Sequence, residues 1–272
     1  MTPFGHLRAL ARLLGLVFVT GGFASYAAIV TAFERDDVQR LRRRGVLFRK
    51  WCQAALRVGG IRLRPRGRCP ESASLVIANH LSYLDVMVLG AHVPMVFVAK
   101  SEVASWPVIG PLCAFVGTLF IDRSSRAGLP AVTNSVANLM AAGIRVMVFP
   151  EGTTTAGDQL LPFRPALLQP AIDQRAAVAC ATLLYETPPG SVPAQSSVCW
   201  VGDAPFAPHV YGFLGLPSID AHVVWTDGVL KENSRRELAA RAHGVIASEL
   251  EALRAGASRQ GAGACDTVVP CP

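Results

Sequence analysis

The stretch "VIANHLSYLDV", from Val76 to Val86, carries the signal that decides the fold. An apolar run typical of a buried strand leads directly into Asn79-His80, and a short helical pattern follows. Ser82 and Asp85 have the spacing of a capping box, with Ser82 at the N-cap and Asp85 at the third helical position. The stretch therefore predicts a strand, a turn and a helix, with a histidine in the turn.

His80 and Asp85 allow two interpretations. The simpler one is a histidine satisfied at a strand end and a carboxylate that stabilises a helix. On a continuous helix the two side chains would point roughly 140° apart. If His80 instead lies in the turn before the helix, its ring can fold back over the first turn. Asp85 could then hold one ring nitrogen and leave the other as a base, the arrangement that activates a hydroxyl.

The rest of the chain beyond residue 70 alternates short apolar runs with helical patterns, which predicts an α/β fold whose strands are largely buried. Predicted strands are Leu75–Ala78, Val96–Ala99, Thr118–Ile121, Arg145–Phe149, Val178–Tyr185, Val198–Val201 and His222–Trp225. Predicted helices are Tyr83–Ala91, Leu129–Ala142, Ala166–Ile172 and Ser234–Leu253. Ligands of such sheets gather at the carboxyl ends of the strands.

Two further strands are predicted to deliver polar residues at their ends. "VMVFPEGTTT", Val146 to Thr155, stops at a proline that cannot join a sheet ladder, and Gly152 permits close approach of backbone to a substrate. "GTLFIDR", Gly117 to Arg123, ends in a guanidinium that could bind phosphate or pair with the preceding aspartate. Taken singly, the first could be a plain β-turn with an exposed glutamate.

Together, the three segments resemble the glycerolipid acyltransferases, which include the bacterial 1-acylglycerol-3-phosphate acyltransferases. "NHLSYLD" is similar to the N-H-x-S-x-x-D block of that family, "GTLFIDR" to its second block and "FPEGTTT" to its F-P-E-G-T-R block. The resemblance covers residues 70 to 230. It implies a mostly parallel mixed sheet flanked by helices, His80 as general base and Asp85 as its partner. It further implies that the substrates contact a set comprising Arg123, Glu151, Gly152, Thr153 and Lys100.

One departure from the family pattern concerns the acceptor. Thr154 stands where the family has an arginine that is associated with the acceptor phosphate. Lys100, Arg123 or Arg164 could compensate, or the acceptor carries another headgroup, as in relatives that acylate lyso-ornithine lipids. The fourth block of the family is only loosely matched by "AVACATLLYE", so acyl-CoA and acyl-carrier protein both remain possible donors.

The N-terminal 68 residues form the expected membrane-anchoring segment. Leu13 to Phe33 are twenty-one residues without a charge, and a helix of that length would be about 31 Å long, enough for a bilayer core. Twelve Lys/Arg and two Asp fall between Arg35 and Arg68, which predicts that the following domain faces the cytoplasm. A cleaved signal peptide and a shallow hairpin at Gly21-Gly22 are the alternatives.

Residues 38–58 read as a basic amphipathic helix, either at the surface of anionic lipids or packed on the domain. The acyltransferase domain is predicted at 69–254, and 255–272 as a disordered tail. Seven scattered cysteines show no metal-ligand spacing and fit a reducing compartment. The sequence thus predicts no metal, no cofactor beyond the acyl donor and no nucleic-acid partner.

The sequence supports a membrane-bound acyltransferase that transfers a fatty acyl group from acyl-CoA or acyl-carrier protein to a lysophospholipid hydroxyl. The first expected acceptor is 1-acylglycerol-3-phosphate, and the alternative is another lysolipid such as lyso-ornithine lipid. A non-catalytic lipid-binding protein is the rival class, and it would need neither His80 nor Asp85. A metal hydrolase is disfavoured because no second histidine or cysteine stands at ligand spacing from His80.

Overall fold

A seven-stranded mixed sheet forms the centre of the protein, with strand order β1-β7-β6-β2-β5-β3-β4. The structure, a computed structural model, describes residues 2–263 except 107, 108, 123, 124, 126 and 203, with side chains to residue 256. All neighbouring strands are parallel except β6 and β7, so the expected mostly parallel mixed sheet is confirmed. The strands are β1 Ile61–Arg66, β2 Ala73–Ala78, β3 Val96–Lys100, β4 Leu119–Ile121, β5 Val146–Val148, β6 Ala177–Glu186 and β7 Ile219–Trp225.

Helices cover both faces of this sheet. They are α1 Pro3–Ala32, α2 Asp37–Val58, α3 Leu84–Gly90, α4 Ile109–Phe115, α5 Gly128–Ala141, α6 Gln169–Asp173, α7 Ala194–Ser197, α8 Phe206–Leu214 and α9 Arg235–Gly263. One apolar core joins the sheet to α1, α2, α3 and α8, and a second joins the opposite face to α5, α6 and α9. Because β2 and β6 are buried on both faces, they read as continuous apolar runs.

The sheet begins earlier than the sequence predicts. Strand β1 lies eight residues before the predicted domain start at 69 and pairs in parallel with β7. It was missed because arginines alternate with apolar residues and Pro65 interrupts the run, a composition that suits an edge strand with one exposed face. Arg62 and Arg64 both bind Asp220 of β7, at 2.5 and 2.8 Å. Residues 1–68 and the domain predicted to begin at residue 69 therefore share one sheet.

Helix α1 is the one helix of the described chain with the length and hydropathy to cross a membrane. It is nevertheless held against the domain along its length. Near its start, Arg12 donates to the carbonyls of Leu214, Leu216 and Pro217 at 2.7–3.0 Å, and at its middle Thr20 accepts from the Trp51 indole at 3.2 Å. Its opposite face exposes large apolar side chains, among them Leu7, Leu14, Val17, Phe18, Ile29 and Phe33.

Helix α2 uses its apolar side within the molecule. Leu47, Cys52, Ala55 and Leu56 are buried, and the helix packs against α1 and α3. Of the two interpretations of the basic amphipathic segment, the structure shows the one in which the helix packs on the domain. Most of the exposed large apolar side chains of the described chain belong to α1.

Two other expectations were wrong. Val198–Val201 is not a strand; it follows α7 as a turn, in which the Trp200 indole donates to the Ala204 carbonyl at 2.8 Å. A four-residue apolar run cannot distinguish such a turn from a strand. The tail predicted to be disordered from residue 255 continues α9 as far as Gly263, and residues 264–272 lie outside the described part of the chain.

Candidate active site

The turn that carries His80 is fixed by the strand next to it. Strand β2 ends at Ala78 and α3 begins at Leu84, so residues 79–83 connect a buried strand to a buried helix. The buried Asn79 side chain donates to the Leu183 carbonyl at 3.0 Å and accepts from the Leu183 N–H at 2.7 Å. These two bonds replace a rung of the β2–β6 ladder just where the chain leaves the sheet, and they leave His80 little freedom to move.

His80 and Asp85 lie together as the dyad interpretation requires. The Nδ1 atom of His80 is 2.7 Å from Oδ2 of Asp85. The same oxygen accepts the backbone N–H groups of Leu81 and Ser82, at 2.7 and 3.0 Å, and Oδ1 accepts the Tyr185 hydroxyl at 2.6 Å. Asp85 is fully buried, so its charge is balanced by four donors and not by water.

Of the two residues of the predicted capping box, only Asp85 makes its expected hydrogen bond. Asp85 reaches back to the N–H of Ser82, as the third residue of a capping box does. The Ser82 hydroxyl, by contrast, is buried without a hydrogen-bond partner, and the residue preceding the helix is Tyr83. The Ser82 side chain therefore does not cap α3, because the carboxylate and backbone bonds already complete the turn.

The His80 ring is held by contacts on two sides. The ring of Phe149 stacks on it with centroids 4.0 Å apart and an interplanar angle of 12°. The side chain is 20% exposed, and among the described residues Nε2 has no protein partner. Since Asp85 can only accept, Nδ1 carries the proton and Nε2 carries the lone pair. The imidazole is thereby oriented as a base that faces solvent.

The "FPEGTTT" turn wraps around the same histidine. Glu151 is 2% exposed; its Oε1 accepts the His80 N–H at 2.7 Å and its Oε2 accepts the Leu161 N–H at 3.0 Å. The Thr155 N–H donates to the His80 carbonyl at 2.9 Å. Burial raises the pKa of Glu151, and the two N–H donors counteract that rise. The segments that follow β2 and β5 therefore meet at His80.

A family model described as Acyltransferase matches residues 56–185. The chain is 36% identical over 199 residues to the 1-acyl-sn-glycerol-3-phosphate acyltransferase of Neisseria gonorrhoeae, which covers 73% of this chain and 75% of that protein. It is 32% identical over 237 residues to the lyso-ornithine lipid O-acyltransferase of Pseudomonas aeruginosa, covering 87% and 90%.

The chain belongs to the glycerolipid acyltransferase family. The crystal structure of PlsC from Thermotoga maritima, the 1-acyl-sn-glycerophosphate acyltransferase, superposes with a TM-score of 0.69 over 92% of this chain and 98% of that chain, at 18% identity. That likeness shows the shared fold. The family model and the sequence relatives establish the protein as an acyltransferase.

In this acyltransferase, three of the other residues predicted to contact substrate lie after β5 or at the end of β3. Gly152 adopts a φ of +74°, and its N–H donates to the Phe149 carbonyl at 3.1 Å. Thr153 is exposed on the same turn, and Lys100 is exposed at the carboxyl end of β3. Arg123 lies outside the described residues. Contact of these residues with a substrate stays a prediction, and Glu151 has both oxygens engaged by backbone.

The acyltransferase also uses residues that the sequence patterns did not mark. Tyr185 contributes a donor to Asp85 from the end of β6, and burial raises its pKa well above the ordinary value, with the charge of Asp85 adding to the rise. In the sequence, Tyr185 could have been recognised only as a single tyrosine near the end of a largely aliphatic strand. Trp200 was missed as well. Its backbone N–H donates to the Leu81 carbonyl and its carbonyl accepts the Thr154 hydroxyl, and bonds made by backbone groups leave no sequence pattern.

His209 lies in α8, close to the turn that contains Cys199 and Trp200. Its Nε2 is 3.2 Å from the Cys199 carbonyl, which can only accept, so Nδ1 must accept the Tyr83 hydroxyl at 2.8 Å. Burial lowers the pKa of His209, consistent with a neutral ring that serves as a link between α8 and the start of α3.

Proposed function

We propose that this acyltransferase is membrane-bound and transfers a fatty acyl group from a thioester, acyl-CoA or acyl-carrier protein, to the free hydroxyl of a lysophospholipid. The first proposed acceptor is 1-acylglycerol-3-phosphate, which would give phosphatidic acid. The observation that carries the proposal is the oriented imidazole of His80, with Nδ1 on a buried carboxylate and Nε2 open. A lipid-binding protein would need neither group.

The chemistry follows from that orientation. Nε2 of His80 removes the hydroxyl proton while the oxygen attacks the thioester carbonyl, and Asp85 stabilises the resulting imidazolium. Collapse of the tetrahedral intermediate breaks the C–S bond, and the proton passes from His80 to the departing thiolate. No covalent acyl-enzyme is required. Gly152 is a poor oxyanion donor in this arrangement, since its N–H already donates to Phe149.

Membrane binding is proposed through the outer face of α1. Phe18 and Phe33, 79% and 88% exposed, belong to a row of large apolar side chains that water would leave uncovered. Because Arg12 and Thr20 are bound to the domain, we infer that α1 lies along one membrane surface with the domain beside it. Anionic lipids would be attracted by the basic residues of α2, and the catalytic domain would face the cytoplasm.

A second acceptor has support from one observation. Thr154 occupies the position of the family arginine, and its hydroxyl donates to the Trp200 carbonyl, so this position offers no charge to a phosphate. A lysolipid without a terminal phosphate monoester, such as lyso-ornithine lipid, is therefore the alternative. The Pseudomonas aeruginosa relative that matches 87% of this chain is named for that acceptor.

The experiment that decides is transfer of a radiolabelled acyl group to a panel of lysolipids by the full-length protein in detergent micelles. Acyl-CoA and acyl-carrier protein are compared as donors, and lysophosphatidic acid is compared with lyso-ornithine lipid as acceptor. We expect His80→Ala to reduce turnover at least a thousandfold. Unchanged turnover in that variant would refute the base. Liposome binding by wild type with no turnover on any lysolipid would favour the lipid-binding alternative.

A further inference from the structure

Three pieces of backbone around His80 are closed into a ring by hydrogen bonds. The Thr155 N–H donates to the His80 carbonyl at 2.9 Å, and the Trp200 N–H donates to the Leu81 carbonyl at 2.8 Å. The Thr154 hydroxyl donates to the Trp200 carbonyl and completes the ring. The histidine turn, the glutamate turn and the turn after α7 are thus joined to one another directly, although more than 40 residues separate each from the next along the chain.

Only one link of this ring depends on a side chain. The bonds to the carbonyls of His80 and Leu81 come from backbone N–H groups, which every residue except proline provides. The third link requires a hydroxyl at position 154. Through this position the sequence can strengthen or weaken the whole ring, and the arginine that the family pattern has there could not reproduce the same short bond.

The turn that Thr154 holds also carries an aromatic wall. The Trp200 ring lies 5.6 Å from the ring of Tyr83 and 5.6 Å from that of Trp106, and Phe206 contacts both of those rings. Tyr83 directly precedes α3, and Asp85 lies in the first turn of that helix. Movement of Trp200 would therefore shift both the backbone beside His80 and the wall next to it.

We propose that Thr154 is a positioning residue, which keeps the His80 turn and the Trp200 wall in the geometry needed for acyl transfer without touching the substrate. The inference rests on the proposed function for its kinetic consequences. It assigns to this chain a use for position 154 different from recognition of an acceptor phosphate. Small displacements of reacting groups have large kinetic effects, so loss of one bond in the ring should be visible in the rate.

The test compares Thr154→Val, which removes the hydroxyl but keeps the shape, with Thr154→Ser, which keeps the hydroxyl. We expect Thr154→Val to lower kcat about tenfold with KM changed less than twofold, and Thr154→Ser to restore at least half of kcat. Hydrogen exchange followed by mass spectrometry should be faster in Thr154→Val for peptides covering 153–157 and 198–202. Thr133→Val is the matched control, since it removes a threonine hydroxyl bond within α5.

Several outcomes would overturn the inference. Unchanged exchange at 198–202 in Thr154→Val would show that the hydroxyl does not hold that turn, whatever the activity. Faster exchange throughout the protein, including α5, would indicate a general loss of stability. Turnover of lysophosphatidic acid by Thr154→Arg above that of wild type would make position 154 a headgroup site. If wild type acylates no lysolipid, the proposed function fails, while the exchange measurement still decides the inference.

Discussion

The described part of the chain has two histidine–carboxylate pairs next to the strands of one sheet, and only one of them has the geometry of an oriented base. His80 and Asp85 are joined at 2.7 Å at the carboxyl end of β2, and His222 and Glu186 at 2.6 Å across β7 and β6. Asp85 is fully buried, whereas Glu186 is 27% exposed. The distance between ring and acid is thus almost the same in the two pairs, and the pairs differ in the solvent exposure of the acid.

The difference shows what an orienting acid requires. Oδ2 of Asp85 is fixed by two backbone N–H groups and cannot rotate away, and the ring it holds is stacked on Phe149. Glu186 is partly exposed and can exchange His222 for water, so this contact resembles a polar pair at the surface, which contributes at most about 1 kcal/mol. A short contact between a histidine and a carboxylate does not identify a catalytic base; the donors behind the carboxylate do.

Among the residues that surround the His80 ring, removing the charge but not the shape of the orienting acid should have the largest effect. In Asp85→Asn the amide oxygen can still accept from the backbone, but the imidazolium formed during transfer loses its counter-charge. We expect kcat to fall about a hundredfold or more, with little change in the KM for the acceptor. Steady-state assays with the best acceptor measure this. A loss of less than threefold would mean that the buried acid matters only for folding.

Tyr185→Phe sharpens the comparison by removing one of the four donors that surround Asp85. The raised pKa of Tyr185 keeps its hydroxyl protonated, so it donates to Asp85 at any working pH. Loss of a hydrogen bond to a charged group should lower kcat roughly fivefold to tenfold. Thermal unfolding of the variant serves as the control, because a rate loss explained by unfolded protein would disappear when the assay temperature is lowered.

Part of the site and most of the sheet could be predicted from the sequence. The three sequence blocks, taken together and with their resemblance to the glycerolipid acyltransferases, predicted that His80, Asp85 and the Glu151 turn belong to one site. Tyr185 and the Trp200 backbone could not be predicted, since their roles arise from strands and turns that approach only in the folded chain. Strand β1 was hidden for a related reason: its charged alternation depends on Asp220 in a strand about 160 residues away.

A third histidine shows what a buried imidazole does without any carboxylate. Burial, with the charge of Arg49 adding to it, lowers the pKa of His92 to about 4, below the ordinary value of 6.5. The unfolded chain therefore binds a proton between these two values that the folded chain does not, and stability falls as pH decreases through that window. From pH 7.5 to pH 5 the loss should be about 2 kcal/mol.

Urea unfolding of wild type and His92→Phe at both pH values checks this expectation. The variant should lose about 2 kcal/mol less of its free energy of unfolding between them, and the difference between the proteins cancels other titrating groups, such as His209. Parallel pH dependence in the two proteins would show that the ring of His92 is solvated.

The smallest effect is expected at the partly exposed pair of His222 and Glu186. His222→Gln should change kcat less than twofold and the free energy of unfolding by no more than about 1 kcal/mol. Its partner experiment is His80→Gln, the same substitution at the oriented ring, which should abolish measurable transfer. A large kinetic effect of His222→Gln would contradict the claim that burial of the acid separates the two pairs.

The attachment of α1 limits how this protein can be made soluble for study. Cutting the chain after α1 would expose the buried face of α2 and strip the carbonyls at 214–217 of the guanidinium that ties them together, next to the start of β7. A shortened enzyme would then be expected to aggregate through its own interior. Polar replacements at the exposed Phe18 and Phe33 should instead reduce the exposed apolar area and leave the fold intact.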